Sequence, residues 1–96
     1  MTSLVIVDLT PINKEKLAQY SAKAAQTLIP YHGRFIAKGA IQVLNEEELT
    51  EETNHPMKAV IEFPNQEAAQ NWYQSEAYQA IIPLRKQGMK SQFHLV

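Results

Sequence analysis

The stretch IEFPNQEAAQNWYQ, residues 61–74, changes its apolar period midway. Ile61 and Phe63 flank Glu62 with the alternation of a strand, whereas Ala68, Ala69, Trp72 and Tyr73 recur at helical spacing. Between them Pro64 has no N–H to give to a ladder, and Asn65 can cap the helix that follows. Glu67 then falls in the first helical turn, where a negative charge opposes the helix dipole favourably. A strand passed directly to a helix is a β-α step, and the rest of the chain reads outward from it.

Upstream, residues 57–63 place Ala59, Ile61 and Phe63 opposite Lys58, Val60 and Glu62. Residues 34–44 also alternate, with Phe35, Ala37, Gly39, Ile41 and Val43 on one side and Arg34, Lys38 and Gln42 on the other. The intervening NEEELTEETNHP, residues 45–56, carries five glutamates without apolar periodicity and reads as a solvated hairpin loop. LVIVDL, residues 4–9, is nearly continuous in apolar character and predicts a central strand. From the N-cap candidate Asn13, Leu17, Tyr20, Ala24 and Leu28 mark a helix whose exit is signalled by Pro30 and Gly33.

Downstream, Ser75 is a second N-cap candidate, opening EAYQAIIPLRKQ, in which Tyr78, Ile81, Ile82 and Arg85 share a face. Pro83 kinks or splits that helix and Gly88 releases the chain into MKSQFHLV, a fourth strand with Met89, Phe93 and Leu95 opposite Gln92 and His94. The order β-α-β-β-α-β predicts an α+β ferredoxin-like fold: a four-stranded antiparallel sheet with its helices on one face, as a single domain over residues 1–96.

Composition excludes several classes of function. Nine Lys and Arg against ten Asp and Glu leave a net charge of −1, so no basic stripe invites nucleic acid. The absence of cysteine removes disulfides, thiolate metal sites and thiol nucleophiles. MTSLVIVDLT, residues 1–10, lacks a basic leader and a long apolar run, so neither a signal nor a membrane partner is expected and a cytoplasmic location follows. Histidines at 32, 55 and 94 have no metal-ligand spacing, and the glycines at 33, 39 and 88 are too dispersed to cradle a phosphate. Neither a metal nor a cofactor is expected.

Helices on one face leave the other bare. By strand parity that bare face carries Leu4, Ile6, Ile36, Ala40, Val60 and Val96, an apolar surface uncommon on a monomer. A homodimer packed sheet against sheet is the expected partner arrangement.

VIEFPNQEAAQNWYQSEAYQAIIPLR, residues 60–85, with IVDLT at 6–10 and YHGRFIAKGA at 31–40, resembles the uncharacterised family catalogued as domain of unknown function 1330, in the dimeric α+β-barrel superfamily. The ordered elements E-F-P, W-Y-x-S-x-x-Y and P-L-R carry the resemblance across nearly the whole chain. It implies the ferredoxin-like fold and a sheet-to-sheet dimer, and brings no established reaction. Where the family often has paired glycines and an arginine, this chain has His32-Gly33, Gly39-Ala40 and Lys38, and its acidic loop is longer.

The candidate site follows from polar residues of dimer-facing parity, Asp8, Arg34, Lys38, Glu62 and His94, which need partners or a ligand if buried. Arg34 is the first candidate for ligand binding because its fork can hold a carboxylate in two hydrogen bonds, with Lys38 as supporting cation. Asp8 or Glu62 is a candidate base, and His32, beside Gly33, a candidate proton carrier. Trp72, Tyr78 and Arg85 complete the ligand-binding set, Trp72 as core first and Tyr78 with Arg85 at a pocket mouth. Trp72 and Tyr73 point about 100° apart on a helix, so one of them must reach an edge. Two functions compete: a cofactor-free enzyme acting on a small organic ligand, acidic or aromatic, and a non-catalytic ligand-binding or interaction homodimer.

Overall fold

A computed structural model of the chain describes residues 1–45 and 55–96, so the acidic segment expected as a hairpin loop lies largely outside the described residues. Four strands, β1 (Ser3–Pro11), β2 (Arg34–Ala40), β3 (Met57–Phe63) and β4 (Met89–Leu95), form one sheet in the order β2-β3-β1-β4. Every neighbouring pair is antiparallel. That order, with a helix crossing between β1 and β2 and helices between β3 and β4, is the ferredoxin-like α+β fold.

The helices start where their caps dictate. The Asn13 side chain accepts the Lys16 N–H at 3.0 Å and opens α1 (Lys14–Leu28). Asn65 accepts the Ala68 N–H at 2.7 Å and opens α2 (Gln66–Gln74) immediately after Pro64 stops β3. Ser75 ends α2 and caps α3 (Glu76–Gln79), and Pro83 falls in the first turn of α4 (Ile82–Gly88), where its missing N–H costs nothing. The serine and the proline together divide the second crossover into three short helices. The exit of α1 tightens into a 3-10 turn, Ile29–Tyr31, followed by His32 in the left-handed region at φ 59°.

Odd-numbered β1 residues Val5, Val7 and Leu9 are buried beneath the helices with Ala59, Ile61 and Phe63 of β3, while even-numbered ones are only half-covered. Trp72 and Tyr78 are wholly buried at the centre of this layer. The Trp72 ring stacks at 4.4 Å from Tyr78 and 5.4 Å from Phe63, and its Nε1 donates to Thr27 Oγ1 on α1 at 2.9 Å. Tyr73, whose ring meets that of Trp72 edge-on at 5.9 Å and is only half-buried, is the ring that reaches the edge. Gly88 sits where a Cβ would stand 2.7 Å from the Leu17 backbone nitrogen, so α4 abuts α1 as closely as a backbone allows.

Two features of β2 differ from the sequence expectation. The strand ends at Ala40, not at Leu44: the Ile41 N–H still reaches the Pro56 carbonyl at 3.0 Å, but Pro56 has no N–H to return, and the ladder stops. Second, the register shifts between Phe35 and Ala37, leaving Ile36 without a partner. Arg34 pairs with Glu62 and Phe35 with Ile61, yet beyond the bulge Ala37 pairs with Val60 and Lys38 with Ala59. One extra residue therefore exchanges the two faces. Lys38 and Ala40 belong to the helix side, against the parity expectation, and Ala37 to the open side.

Candidate functional site

Between α1 and the sheet lies a cavity of about 550 Å³. Its floor is Val7, Leu9, Ala59 and Ile61, its roof Leu17, Ala18 and Ala24, and Trp72, Met89 and Phe93 close the inner end. These are helix-face residues of β1, β3 and β4 and the inward stripe of α1, so the periodicities that build the core also make the walls. Residues with hydroxyl or amine groups are few among the described lining: Tyr20, Ser21, Lys14 and Lys38. Both lysines are exposed, which places them at the opening, and neither forms an ion pair among the described residues. Lys38 stands 5.6 Å over the Phe35 ring, a cation–π contact that holds the amine beside the apolar wall.

The deepest polar element is a chain of hydroxyls. Tyr20 Oη and Tyr78 Oη are 2.7 Å apart in the core. Arg85 Nη1 donates to Tyr78 Oη and Tyr73 Oη, each at 3.0 Å, and its guanidinium lies 4.7 Å over Phe93. Burial pushes the Tyr20 hydroxyl far above the usual phenol range, and the neighbouring Tyr78 hydroxyl adds to the shift. Burial also raises Tyr78, although its hydrogen bonds with Tyr20 and Arg85 oppose it. Both phenols are thus uncharged and available as hydrogen-bond donors at neutral pH. Arg85 loses hydration in the same place, which on its own would lower it, but its bonds to Tyr73 and Tyr78 outweigh that and it stays charged.

The structure disperses the residues singled out from sequence over four places. Arg34 and Glu62 meet on the open sheet face, with Arg34 Nη2 2.7 Å and Nε 2.9 Å from Glu62 Oε1. Asp8 is on that face too, 3.1 Å from Lys58 Nζ. Lys38 is separated from Arg34 by the bulge and serves the cavity. Trp72 lines the cavity, and Tyr78 supports it through Tyr20. Arg85 faces a second hollow of about 450 Å³ on the β4 side, with Tyr73, Ser91 and His94 around it. His32 is exposed in the turn before β2 and touches neither hollow, His94 stands on β4, and His55 Nδ1 pairs with Thr10 Oγ1 at 2.8 Å. Among the described residues no three metal-ligating side chains gather, and no helix is long and apolar enough to cross a membrane.

Sequence reasoning missed Tyr20 and Lys14 as cavity residues. The helical stripe that includes Tyr20 was visible, but a stripe does not distinguish a wall of packed atoms from a wall of empty space.

Compared with known families, residues 2–96 match the profile described as "Domain of unknown function (DUF1330)". No curated protein matches the chain. Among solved structures, a protein of unknown function from Rhodopseudomonas palustris superposes with a TM-score of 0.76 at 11% identity, covering 99% of this chain and 80% of that one. SnoaB, a cofactor-independent oxygenase from Streptomyces nogalater, gives 0.63 at 11% identity, over 99% of this chain and 89% of its own. A dimeric ferredoxin-like protein of unknown function from Thermobifida fusca gives 0.64 at 11% identity, over 100% and 90%. At such identities the likeness establishes the fold alone.

Proposed function

We propose that this chain, which belongs to the family described as domain of unknown function 1330, takes a largely apolar organic acid into the cavity beneath α1 and acts on it as a small enzyme without a bound cofactor. The observation that carries this reading is the pairing of a 550 Å³ apolar cavity with two amines, Lys14 and Lys38, that form no ion pair among the described residues. That volume falls in the range of about 300–1,000 Å³ typical of small-molecule sites. An apolar wall with cations at one end selects a molecule of the same polarity, an aromatic or aliphatic body ending in a carboxylate. Arg34, expected from sequence to hold that carboxylate, is committed to Glu62 on the opposite face, and Lys38 takes the role instead.

Fold-level analogy supports the enzyme reading, since SnoaB runs an oxygenation on this architecture without a cofactor. One observation favours the second reading, a binding protein without turnover: among the described residues no Asp, Glu or His lines the cavity to act as a base. In either case a second copy of the chain covers the open sheet face, where Leu4, Ile6, Val60 and the exposed Ile36 surround the Arg34–Glu62 and Asp8–Lys58 pairs. The solved relative from Thermobifida fusca is described as dimeric, which agrees with this assembly.

The test is a panel of aromatic and aliphatic carboxylates, 2-naphthoate among them, measured by thermal shift and quenching of Trp72 fluorescence. Binding that Lys38→Met weakens and an open-face change such as Lys58→Met leaves alone supports the cavity. Loss of a bound acid with appearance of a product by mass spectrometry supports turnover. Binding without any product selects the second reading, and failure of every acid to bind overturns both.

A further inference from the structure

Hydrogen bonding along Arg85, Tyr78 and Tyr20 is limited by what each group can give and accept. A guanidinium has only donors, so Tyr78 Oη accepts from Arg85 Nη1. Tyr78 is wholly buried, and its remaining polar neighbour is Tyr20 Oη. Whichever of the two hydroxyls donates in that contact, one hydrogen of the pair has no acceptor among the described residues, a loss of about 1–3 kcal/mol in a dry core. Tyr20 is 7% exposed and its side chain forms part of the cavity wall. An acceptor held in the cavity beside Tyr20 removes that loss, because Tyr78 can then donate to Tyr20 and Tyr20 to the bound molecule. Charge at Arg85 polarises both hydroxyls in sequence, which strengthens the last donor.

We infer that Tyr20 is the hydrogen-bond donor of the cavity, and that the bound molecule carries, besides its acid group, a carbonyl oxygen that accepts from it. This rests on the cavity reading above and narrows its substrate class to aromatic or aliphatic oxo-acids. Along α1 the Cα atoms of Lys14 and Tyr20 are about 9 Å apart at 1.5 Å per residue, so a rigid spacer must separate acid from carbonyl. Catalytic value would come from the same contact. A donor aimed at a carbonyl oxygen stabilises negative charge on that oxygen.

Two probes separate this inference from the reading beneath it: 4-benzoylbenzoate, which has a ketone, and 4-benzylbenzoate, which has a methylene in its place. Both are expected to bind the intact protein. The carbonyl stretch of bound, isotope-labelled 4-benzoylbenzoate should lie below its value in a dry hydrocarbon. In Tyr20→Phe it should return toward that value, with affinity for the ketone lowered about 3- to 10-fold, the worth of one hydrogen bond, and affinity for the methylene probe unchanged. Tyr78→Phe, which keeps Tyr20 and breaks its support, should give an intermediate stretch and guards against a misfolded first variant. If the stretch is the same with and without the Tyr20 hydroxyl, or if both probes weaken equally, the donor assignment is wrong while the cavity stands. If neither probe binds the intact protein, the cavity reading fails and the donor assignment with it.

Discussion

Replacing Gly88 by Ala tests whether α4 and α1 are in backbone contact, on which the cavity roof depends. In an ordinary helix the change would stabilise by about 1 kcal/mol, through helix propensity. Here the added methyl would stand 2.7 Å from the Leu17 nitrogen and 2.8 Å from its Cα, about 0.7 Å inside the 3.4 Å at which ordinary contact begins. The clashing atoms are backbone, so no side chain can rotate away, and α1 must move. Overpacking of this kind costs about 1–3 kcal/mol. The Gly88 carbonyl also accepts the N–H groups of Ile12 at 2.9 Å and Asn13 at 3.2 Å, and separation of the helices stretches both bonds. Each is worth about 0.5–1.5 kcal/mol, which leaves a net loss of about 2 kcal/mol after the propensity gain. For a domain of this size that lowers Tm by roughly 8–16 °C. Urea unfolding followed by circular dichroism measures it, with Ala25→Gly on the exposed side of α1 as a propensity control costing about 1 kcal/mol. A Gly88→Ala protein as stable as the parent would refute the close approach and, with it, the fixed roof.

Further measurements address the other parts of the molecule. Lys38→Met should weaken 2-naphthoate about 2- to 5-fold, the modest worth of an exposed ion pair, and leave 2-naphthamide unchanged; equal effects on acid and amide would exclude a charge role. Because Tyr20 and Tyr78 hold their protons above the 10.0 of a free phenol, their contribution to stability is complete below that pH and lost as pH rises past it, when the unfolded chain ionises first. The urea midpoint should therefore fall from pH 9 to 11, less steeply in Tyr20→Phe, and identical slopes would contradict the buried pair. Ile6→Lys, facing Val60 and His94 across the open face, should reduce the mass by light scattering to the 10.9 kDa of one chain without loss of helix signal. An unchanged mass would remove the sheet-to-sheet dimer.

The fold was legible because its punctuation is chemical. Pro64, Asn65, Ser75 and Pro83 each end or begin an element for a reason that needs no tertiary context, and the structure places a boundary at every one. Trp72 was readable as core, and Tyr73 at the edge follows from the angle between consecutive helical residues. Lys38 was not readable. Counting by twos from Arg34 assigns it the wrong face because the count assumes every residue has a partner, and Ile36, as good a strand former as any, gives no sign that it lacks one. The hydroxyl chain was hidden for a different reason. Tyr20 and Tyr78 lie 58 positions apart, and only the packing of α3 against α1 joins them. Arg34 and Glu62 were placed on the same face from sequence, but their direct pairing depends on a strand register that alternation alone does not set.

The bulge at Ile36 gives β2 an unusual genetic sensitivity. Loss of a single codon there would restore a continuous ladder and rotate everything after it, carrying Lys38 out of the cavity and onto the open face of the sheet. Length at this point in the strand thus decides how positive charge is divided between the two sides of the sheet, and relatives differing by one residue here should differ in the charge of both.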